Sequence, residues 1–319
     1  MSRPTFAVVI PAYNASLFIA EALESVFAQT SPAAEVVVSD DGSSDDLEAA
    51  VKPFRDRITL LRNPHRGAAA ARNAAVDVAS SDFVVMLDAD DVYEPDRLDA
   101  LATLAETRPE LDILATDLWY ERDGALAERF YESTPFPTEH QRLAIIDRCF
   151  VACPAMRRER VLEIGGFDEL PAIAPAEDWD LFLRLVLSGS EAGLVDRPLL
   201  RYRIRASSAT GDRARALWAR VRVLEKARGR ADLGPGELDY LDARLRRART
   251  RAILNDAATL AANRPRDFRR ALLRLAVTAG LQARDRAAVA AGAVAPAAGQ
   301  RLLRRADRRV AGKTVDPRV

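Results

Sequence analysis

The chain has 319 residues, 49% of them apolar and 29% charged, a soluble globular balance that excludes collagen-like, mucin-like and wholly disordered classes. At roughly 100–200 residues per domain, this length predicts one large domain with a smaller one, or two of moderate size. Basic and acidic residues cancel at 47 each, yet residues 207–319 hold 26 Lys and Arg against 11 Asp and Glu, so this part carries +15 and the remainder −15. Three readings of the split stay open: a basic tail meeting an anionic partner, two halves neutralising each other, or solvated helix faces.

The charge-free run 287–300 is too short, and too rich in Ala, Gly and Pro, for a membrane span of about 20 apolar residues. The start of the chain offers only a five-residue apolar run before Pro11, too little for a signal-peptide core, so the cytoplasm is the expected compartment. Two cysteines, Cys149 and Cys153, and two histidines, His65 and His140, support neither a disulfide framework nor a zinc site. Both thiols are expected to be buried.

From Phe6 to Asp117, β-rich runs (6–10, 35–40, 58–61, 82–87, 112–117) alternate with helical stretches (16–29, 67–79, 95–106). This pattern predicts βα units on an open, mostly parallel sheet with flanking helices. The runs 6–10, 35–40 and 83–87 are nearly continuously apolar, as strands covered on both faces are. The first helix is expected to start with Ser16 as its N-cap and to lay Leu17, Ala20, Leu23 and Phe27 on the sheet. From Trp119 to about Ser208 the order becomes mixed: a helix at 142–149, a strand at 151–156, a helix at 178–187 and a strand at 199–204. Ala/Arg/Leu-rich helical segments follow, broken at Gly234-Pro235-Gly236 and Arg264-Pro265. The boundary is drawn between residues 1–208 and a basic helical region 209–319, whose last two segments suit a helical hairpin.

In open α/β sheets ligands bind outside the carboxyl ends of the strands. There the first strand gives Pro11-Ala12-Tyr13-Asn14, the second Asp40-Asp41-Gly42-Ser43-Ser44 and the fourth Asp88-Ala89-Asp90-Asp91. Five acidic residues on one edge repel unless cations or hydrogen-bond donors offset them. Asp88 and Asp90, one small residue apart behind a buried strand, can present oxygens to Mg²⁺ or Mn²⁺, ions that keep places for substrate phosphates; an Asx-rich turn is the alternative reading. The Gly- and Ala-rich start of the helix at residues 67–73 lets backbone N–H groups approach a ligand, with Arg72 able to pair with phosphate, although Ala there also serves plain helix packing. Neither GxGxxG nor GxxxxGK[ST] follows a strand, so a dinucleotide fold and a P-loop are not indicated. Further on, Glu177-Asp178 stands at a helix start, where the helix dipole alone accounts for one acid. Two acids beside Trp179 exceed a cap, and a positioned carboxylate is a suitable general base for a hydroxyl nucleophile.

The segments VVIPAYN, VVSDDGSSD, GAAAARNAA, FVVMLDADD, GGFDE and EDWDLFLRL, in this order, resemble an inverting family-2 glycosyltransferase of GT-A fold over about residues 4–208. The resemblance implies a nucleotide-diphospho-sugar donor, UDP foremost, and transfer by single displacement to a hydroxyl of a cell-surface glycan or lipid-linked saccharide. By the same resemblance, Pro11, Ala12, Tyr13, Asn14, Asp41, Arg72, Asp88 and Ala89 bind the nucleotide, with Asp41 accepting a base N–H. Asp90 holds the divalent metal (Mn²⁺ or Mg²⁺), Asp178 is the base and Glu177 helps orient the acceptor. One departure stands out: relatives often carry Tyr-Arg-x-His where this chain has Tyr202-Arg203-Ile204-Arg205, so Arg203 and Arg205 are expected at the diphosphate instead of a metal-ligating His. Outside the resemblance, residues 300–313 could form a basic amphipathic helix in peripheral contact with an anionic membrane at its inner face, or a solvated terminal helix. Two other classes remain: a nucleotidyltransferase, against which PAYNAS replaces the expected GxGxR loop, and a non-enzymatic nucleotide- or nucleic-acid-binding protein. No nucleic-acid partner is expected.

Overall fold

The computed structural model describes residues 3–204 and 212–263. These fall into two units, one formed by residues 3–171 and 177–204, the other by 172–176 and 212–263. The expected amphipathic segment 300–313, the helical stretch 267–281 and Arg205 lie outside the described residues.

In the first unit the apolar runs form β1 (Phe6–Ala12), β2 (Glu35–Asp40), β3 (Thr59–Arg62) and β4 (Phe83–Met86). They align in parallel in the order β3-β2-β1-β4. Val8, Val9, Ile10, Val38, Val84 and Val85 are fully buried, as a sheet covered on both faces requires. The connections run through α1 (Ile19–Phe27), α2 (Leu47–Val51) with a 3₁₀ turn at Lys52–Arg57, and α3 (Ala68–Val78).

Two expectations about α1 are corrected. Its cap position is Phe18, not Ser16, whose N–H instead donates to Asp45 Oδ2 at 2.8 Å. The buried face is Ile19, Ala22, Leu23 and Val26, while Leu17 is 86% exposed. The loop from Tyr13 is held out by bonds to the next loop, so the helix cap falls two residues later and the buried stripe rotates.

Beyond β4 the sheet is mixed, not mostly parallel. After β5 (Val92–Tyr93) and α4 (Arg97–Thr107), the ten-residue β6 (Ile113–Arg122) turns back into β7 (Ala125–Arg129). Asp123 (φ +50°) and Gly124 (φ +78°) form that turn, and two successive positive φ values match the strand twist of a tight hairpin. The short helices α5 (Phe130–Ser133) and α6 (Gln141–Asp147) lead to β8 (Ala155–Arg157), which lies antiparallel between β4 and β6. Helices α7 (Arg158–Glu163) and α8 (Glu177–Leu187) precede the twelve-residue β9 (Ala192–Arg203), parallel to β6 and antiparallel to β5.

The second unit pairs α9 (Arg213–Arg228) with α10 (Pro235–Asn263). Ala216, Leu217, Val221 and Leu224 bury against Leu241, Leu245 and Ala252, and Trp218 Nε1 donates to Asp256 Oδ2 at 2.8 Å. Part of its basic charge is neutralised internally: Glu225 pairs with Arg222 and Arg249, and Asp242 with Arg228. No helix among the described residues is long and apolar enough to cross a membrane.

Candidate active site

β1 ends at Ala12 and the chain turns sharply. Asn14 has φ +51°, a left-handed conformation that Asn tolerates through local side-chain bonding. Its Oδ1 accepts from Ser44 N at 2.8 Å and Ser44 Oγ at 3.1 Å, and its own N–H donates to Ser43 Oγ at 3.0 Å. The loop after β1 is thereby fastened to the loop after β2. In the latter, Gly42 has φ +73°, and a Cβ there would meet His65 N at 2.8 Å, so glycine permits the close approach.

Asp41 lies under these loops, only 3% exposed. Its Oδ1 accepts from Arg66 N at 2.8 Å, and its Oδ2 from Gly67 N at 2.9 Å; His65 Nδ1 lies 2.9 Å from the same Oδ2. The N–H groups ahead of α3, expected to face a ligand, are thus given in part to Asp41. The His65 ring stacks on Tyr13, centroids 4.2 Å apart and planes 20° apart. Pro11 and Ala12 stand in β1 opposite Ser39 and Asp40, and Ala12 is buried while Tyr13 is half-exposed.

Arg72, one turn into α3, joins three segments. Its Nη2 donates to Asp88 Oδ1 at 2.9 Å and its Nη1 to Glu177 Oε1 at 3.0 Å. Burial opposes its charge, but Asp88, Glu177 and Asp178 outweigh that and raise its pKa above the ordinary arginine value. The next residue, Asn73, donates to Phe167 O at 2.9 Å and Glu169 Oε1 at 3.0 Å, and accepts from Phe167 N at 2.7 Å. The small-residue motif at α3 is therefore locked to the Gly-Gly-Phe-Asp-Glu segment, roughly a hundred residues later.

Behind β4, Asp91 N closes a turn onto Asp88 O at 3.0 Å, with Ala89 buried beneath. Asp91 is 1% exposed. Its Oδ1 accepts from Arg203 N at 2.9 Å, whereas its Oδ2 has no hydrogen-bond partner. Burial first, then the charges of Asp88 and Asp90, push its carboxyl well above the usual carboxylate range. Among the described residues no group of three or more His, Cys, Asp and Glu forms a ready metal cage. The donor set nonetheless fits a hard cation. Asp88 and Asp90 offer only oxygen, the crowded charge around Asp91 favours a cation, and Mg²⁺-type sites often need only one or two carboxylates with phosphates and waters.

Glu177 and Asp178 open α8, where the helix dipole favours negative charge. Glu177 is buried and its Oε2 has no partner. Asp178 is partly exposed, its Oδ1 accepting from Trp179 N at 2.7 Å, and Trp179 Nε1 anchors the turn on Ile145 O at 2.8 Å. Arg203 is already engaged, donating to Glu21 Oε1 at 2.5 Å and Glu121 Oε1 at 3.2 Å. Cys149 and Cys153 form no disulfide and, against expectation, keep part of their surface exposed; burial, with Asp88 and Asp91 nearby, raises the Cys153 thiol well above its usual value.

The sequence reading passed over His65, Asn73 and Arg97. Arg97 is fully buried, donating to Thr116 Oγ1 and Cys153 O, both at 2.5 Å. The Arg-Asn pair and the His two residues before Gly67 were visible, but their partners lie 16 to 105 positions away.

Loops from the carboxyl ends of parallel strands, an acidic turn and helix-borne carboxylates, all on one mixed sheet, define the class as a GT-A type glycosyltransferase fold. Solved structures share it: Staphylococcus aureus TarS 1–349 in complex with UDP-GlcNAc superposes with TM-score 0.66 at 19% identity, covering 98% of this chain and 93% of that one. The Pyrobaculum calidifontis mannosyltransferase PcManGT, in complex with GDP-Man and Mn²⁺, gives 0.60 at 22% identity, covering 98% and 89%. Residues 7–165 match the family described as Glycosyl transferase family 2, and the chain belongs to it. Similar curated proteins include a Pasteurella multocida chondroitin synthase, 32% identical over 187 residues, 57% of this chain and 19% of that protein. Another is the Escherichia coli UDP-Glc:alpha-D-GlcNAc-diphosphoundecaprenol beta-1,3-glucosyltransferase WfaP, 26% identical over 223 residues, 69% and 85%. The chain spans about a fifth of the length of the chondroitin and hyaluronan synthases that it matches.

Proposed function

We propose that the first unit transfers a sugar from a nucleotide-diphosphate donor, a UDP-sugar foremost, to a hydroxyl of a cell-surface glycan or lipid-linked saccharide, with inversion. One observation carries this reading: Arg72 bridges Asp88 of the acidic turn to Glu177 of α8, so a donor-side and an acceptor-side carboxylate meet through one cation. The UDP-sugar and lipid-linked acceptor draw support from TarS and WfaP.

In this reading Tyr13, Asn14 and the backbone of Pro11 and Ala12 border the base pocket with Asp41, and Asp88 and Ala89 border the ribose. Asp178 takes the proton of the acceptor hydroxyl as its oxygen attacks the anomeric carbon; the bond to the diphosphate breaks on the opposite face, and the nucleoside diphosphate leaves with the electron pair. Glu177, held by Arg72, orients the acceptor. Asp90, with Asp88 nearby, would hold a Mn²⁺ or Mg²⁺ ion, which when bound would supply Lewis-acid stabilisation of charge developing on the leaving diphosphate. Arg203 reaches the diphosphate only by exchanging Glu21, so its share is smaller than its position at the end of β9 implies. The helical region 209–319 is a separate domain in this reading, suited to acceptor or membrane contact by its charge.

Incubating the chain with labelled UDP-sugars, Mn²⁺ and polyprenyl-diphosphate-linked or oligosaccharide acceptors tests the proposal. A product of inverted anomeric configuration, seen by NMR, is expected; absence of transfer and of hydrolysis across donor sugars would sink it.

A further inference from the structure

Arg97 opens α4 with its side chain fully buried, and among the described residues its partners are all neutral. Nη1 donates to Thr116 Oγ1 and Nη2 to Cys153 O, both at 2.5 Å. The guanidinium carbon lies 4.7 Å from the centre of the Tyr93 ring, and Nε has no partner. These contacts answer part of its hydrogen-bonding capacity and none of its charge. Burying a cation with no anion in contact is costly, so a charge farther off has to offset it.

That charge stands one layer away. Tyr93 Oη donates to Met86 O at 2.9 Å, and Met86 N donates to Pro154 O at 3.3 Å. The ring under the guanidinium and the segment that accepts from it are thus both bonded to the last residue of β4, two positions before Asp88. Cys153 itself has φ +43°, a left-handed conformation uncommon outside glycine, and Arg97 holds its carbonyl in that place. Burial raises the Tyr93 hydroxyl and the Cys153 thiol first; beyond burial, Asp88 pushes each up and Arg97 pulls each down, so both charges reach the same two groups. The other arginines at the turn are shared with acids elsewhere: Arg72 with Glu177, and the Arg203 guanidinium with Glu21 and Glu121.

We infer that Arg97 is a fixed counter-charge behind the acidic turn, which lets Asp88, Asp90 and Asp91 stand together and limits how tightly they hold a divalent cation. This rests on the metal-assisted reading above and deepens it. A cation that has to leave with the nucleoside diphosphate after each transfer is better held loosely, and a buried arginine supplies that limit without occupying a ligand position. Its charge is permanent, so the limit does not vary with pH.

Mn²⁺ titration of the full chain tests this, followed by loss of the free-ion electron paramagnetic resonance signal, with and without saturating UDP. Arg97→Met removes the charge and keeps an apolar stem; it should melt earlier than the native protein yet bind Mn²⁺ about tenfold more tightly. Thr116→Val removes the acceptor of Nη1 and leaves the charge, so it should lose stability while Mn²⁺ affinity stays within about twofold. An arginine of merely structural use would instead weaken Mn²⁺ binding as stability falls, in both variants. If Arg97→Met fails to fold, Arg97→Gln, whose amide still donates, carries the same expectation. Unchanged or weaker Mn²⁺ binding in the charge-removing variant, or equal tightening in Thr116→Val, would overturn the inference and leave the transferase reading standing. Native protein that binds Mn²⁺ neither alone nor with UDP would overturn the metal-assisted reading and the inference with it.

Discussion

At the amino-terminal edge of the parallel strands, carboxylates are ringed by donors. Asp82 accepts from Thr5 N and Thr5 Oγ1, both at 2.8 Å, and Glu35 from Ser80 N at 3.0 Å and Ser81 Oγ at 2.5 Å. The Thr5 bonds hold Asp82 below its ordinary value; burial raises Glu35, but the serine donors outweigh it. At the opposite edge, Asp91 is raised by burial and by its acidic neighbours, and Asp91 Oδ2 and Glu177 Oε2 are buried without partners. Acidic side chains thus fasten the sheet at one end, and at the other they hold buried oxygens that no neighbour satisfies. Fully satisfied carboxylates add stability, whereas unsatisfied ones cost it.

The sharpest way to break this contrast is at Asp178. Asp178→Asn should lower kcat by roughly 10²–10⁴-fold, the range for loss of a general base, with nucleotide affinity by calorimetry and melting temperature unchanged. Next, Arg72→Met strands Asp88 and Glu177 without their cation. Denaturant unfolding should show a loss of about 3 kcal/mol, the lower end for a broken buried pair, because Asp88 keeps 35% of its side chain exposed. Gly42→Ala sets a Cβ against His65 N at positive φ and should cost about 2 kcal/mol and weaken nucleotide binding. A wild-type unfolding curve there would mean the two loops are looser than described.

The smallest effect belongs to the amino edge. Asp82→Ala should cost about 1 kcal/mol at pH 7. Because the folded pKa of Asp82 lies below its ordinary value of 3.8, its contribution is fully present above that value and fades as pH falls through the folded one. Unfolding curves of native and variant protein should therefore converge in acid; a constant gap down to pH 2 would show that packing, not the carboxylate, is responsible.

Much of the first half-sheet was legible because its signals are local. Continuous runs such as 6–10 and 35–40 can be little other than buried strands, and each leads directly into its loop residues, Tyr13 or Asp41. The second half was legible only in part. Its key pairing sets β6 beside β9, nearly eighty residues apart, and three-residue β8 is too short for a periodicity. The hairpin at Asp123-Gly124 did carry a local signal, an Asp-Gly dipeptide between β-rich runs, and the reading passed over it. At the site, residue types pointed to Asp41, Arg72, Asp88, Glu177 and Asp178, but not to who holds whom. That Asp41 is occupied by Arg66, Gly67 and His65 depends on backbone geometry that no spacing encodes, and the same holds for Arg203, whose partner Glu21 lies 182 positions away.

The bond from Arg203 N to Asp91 spans 112 positions, which bears on the order of events during synthesis. At about 5–20 residues per second, the donor for that buried carboxylate leaves the ribosome roughly 6 to 22 seconds after the acidic turn does. Through that interval β1 to β4 can pair, yet the turn beside them lacks the strand that closes over it. A nascent chain arrested before residue 203 should therefore hold a formed parallel half-sheet with an open, protease-sensitive acidic turn, and the carboxyl edge of the parallel strands would be the last part of the first unit to mature.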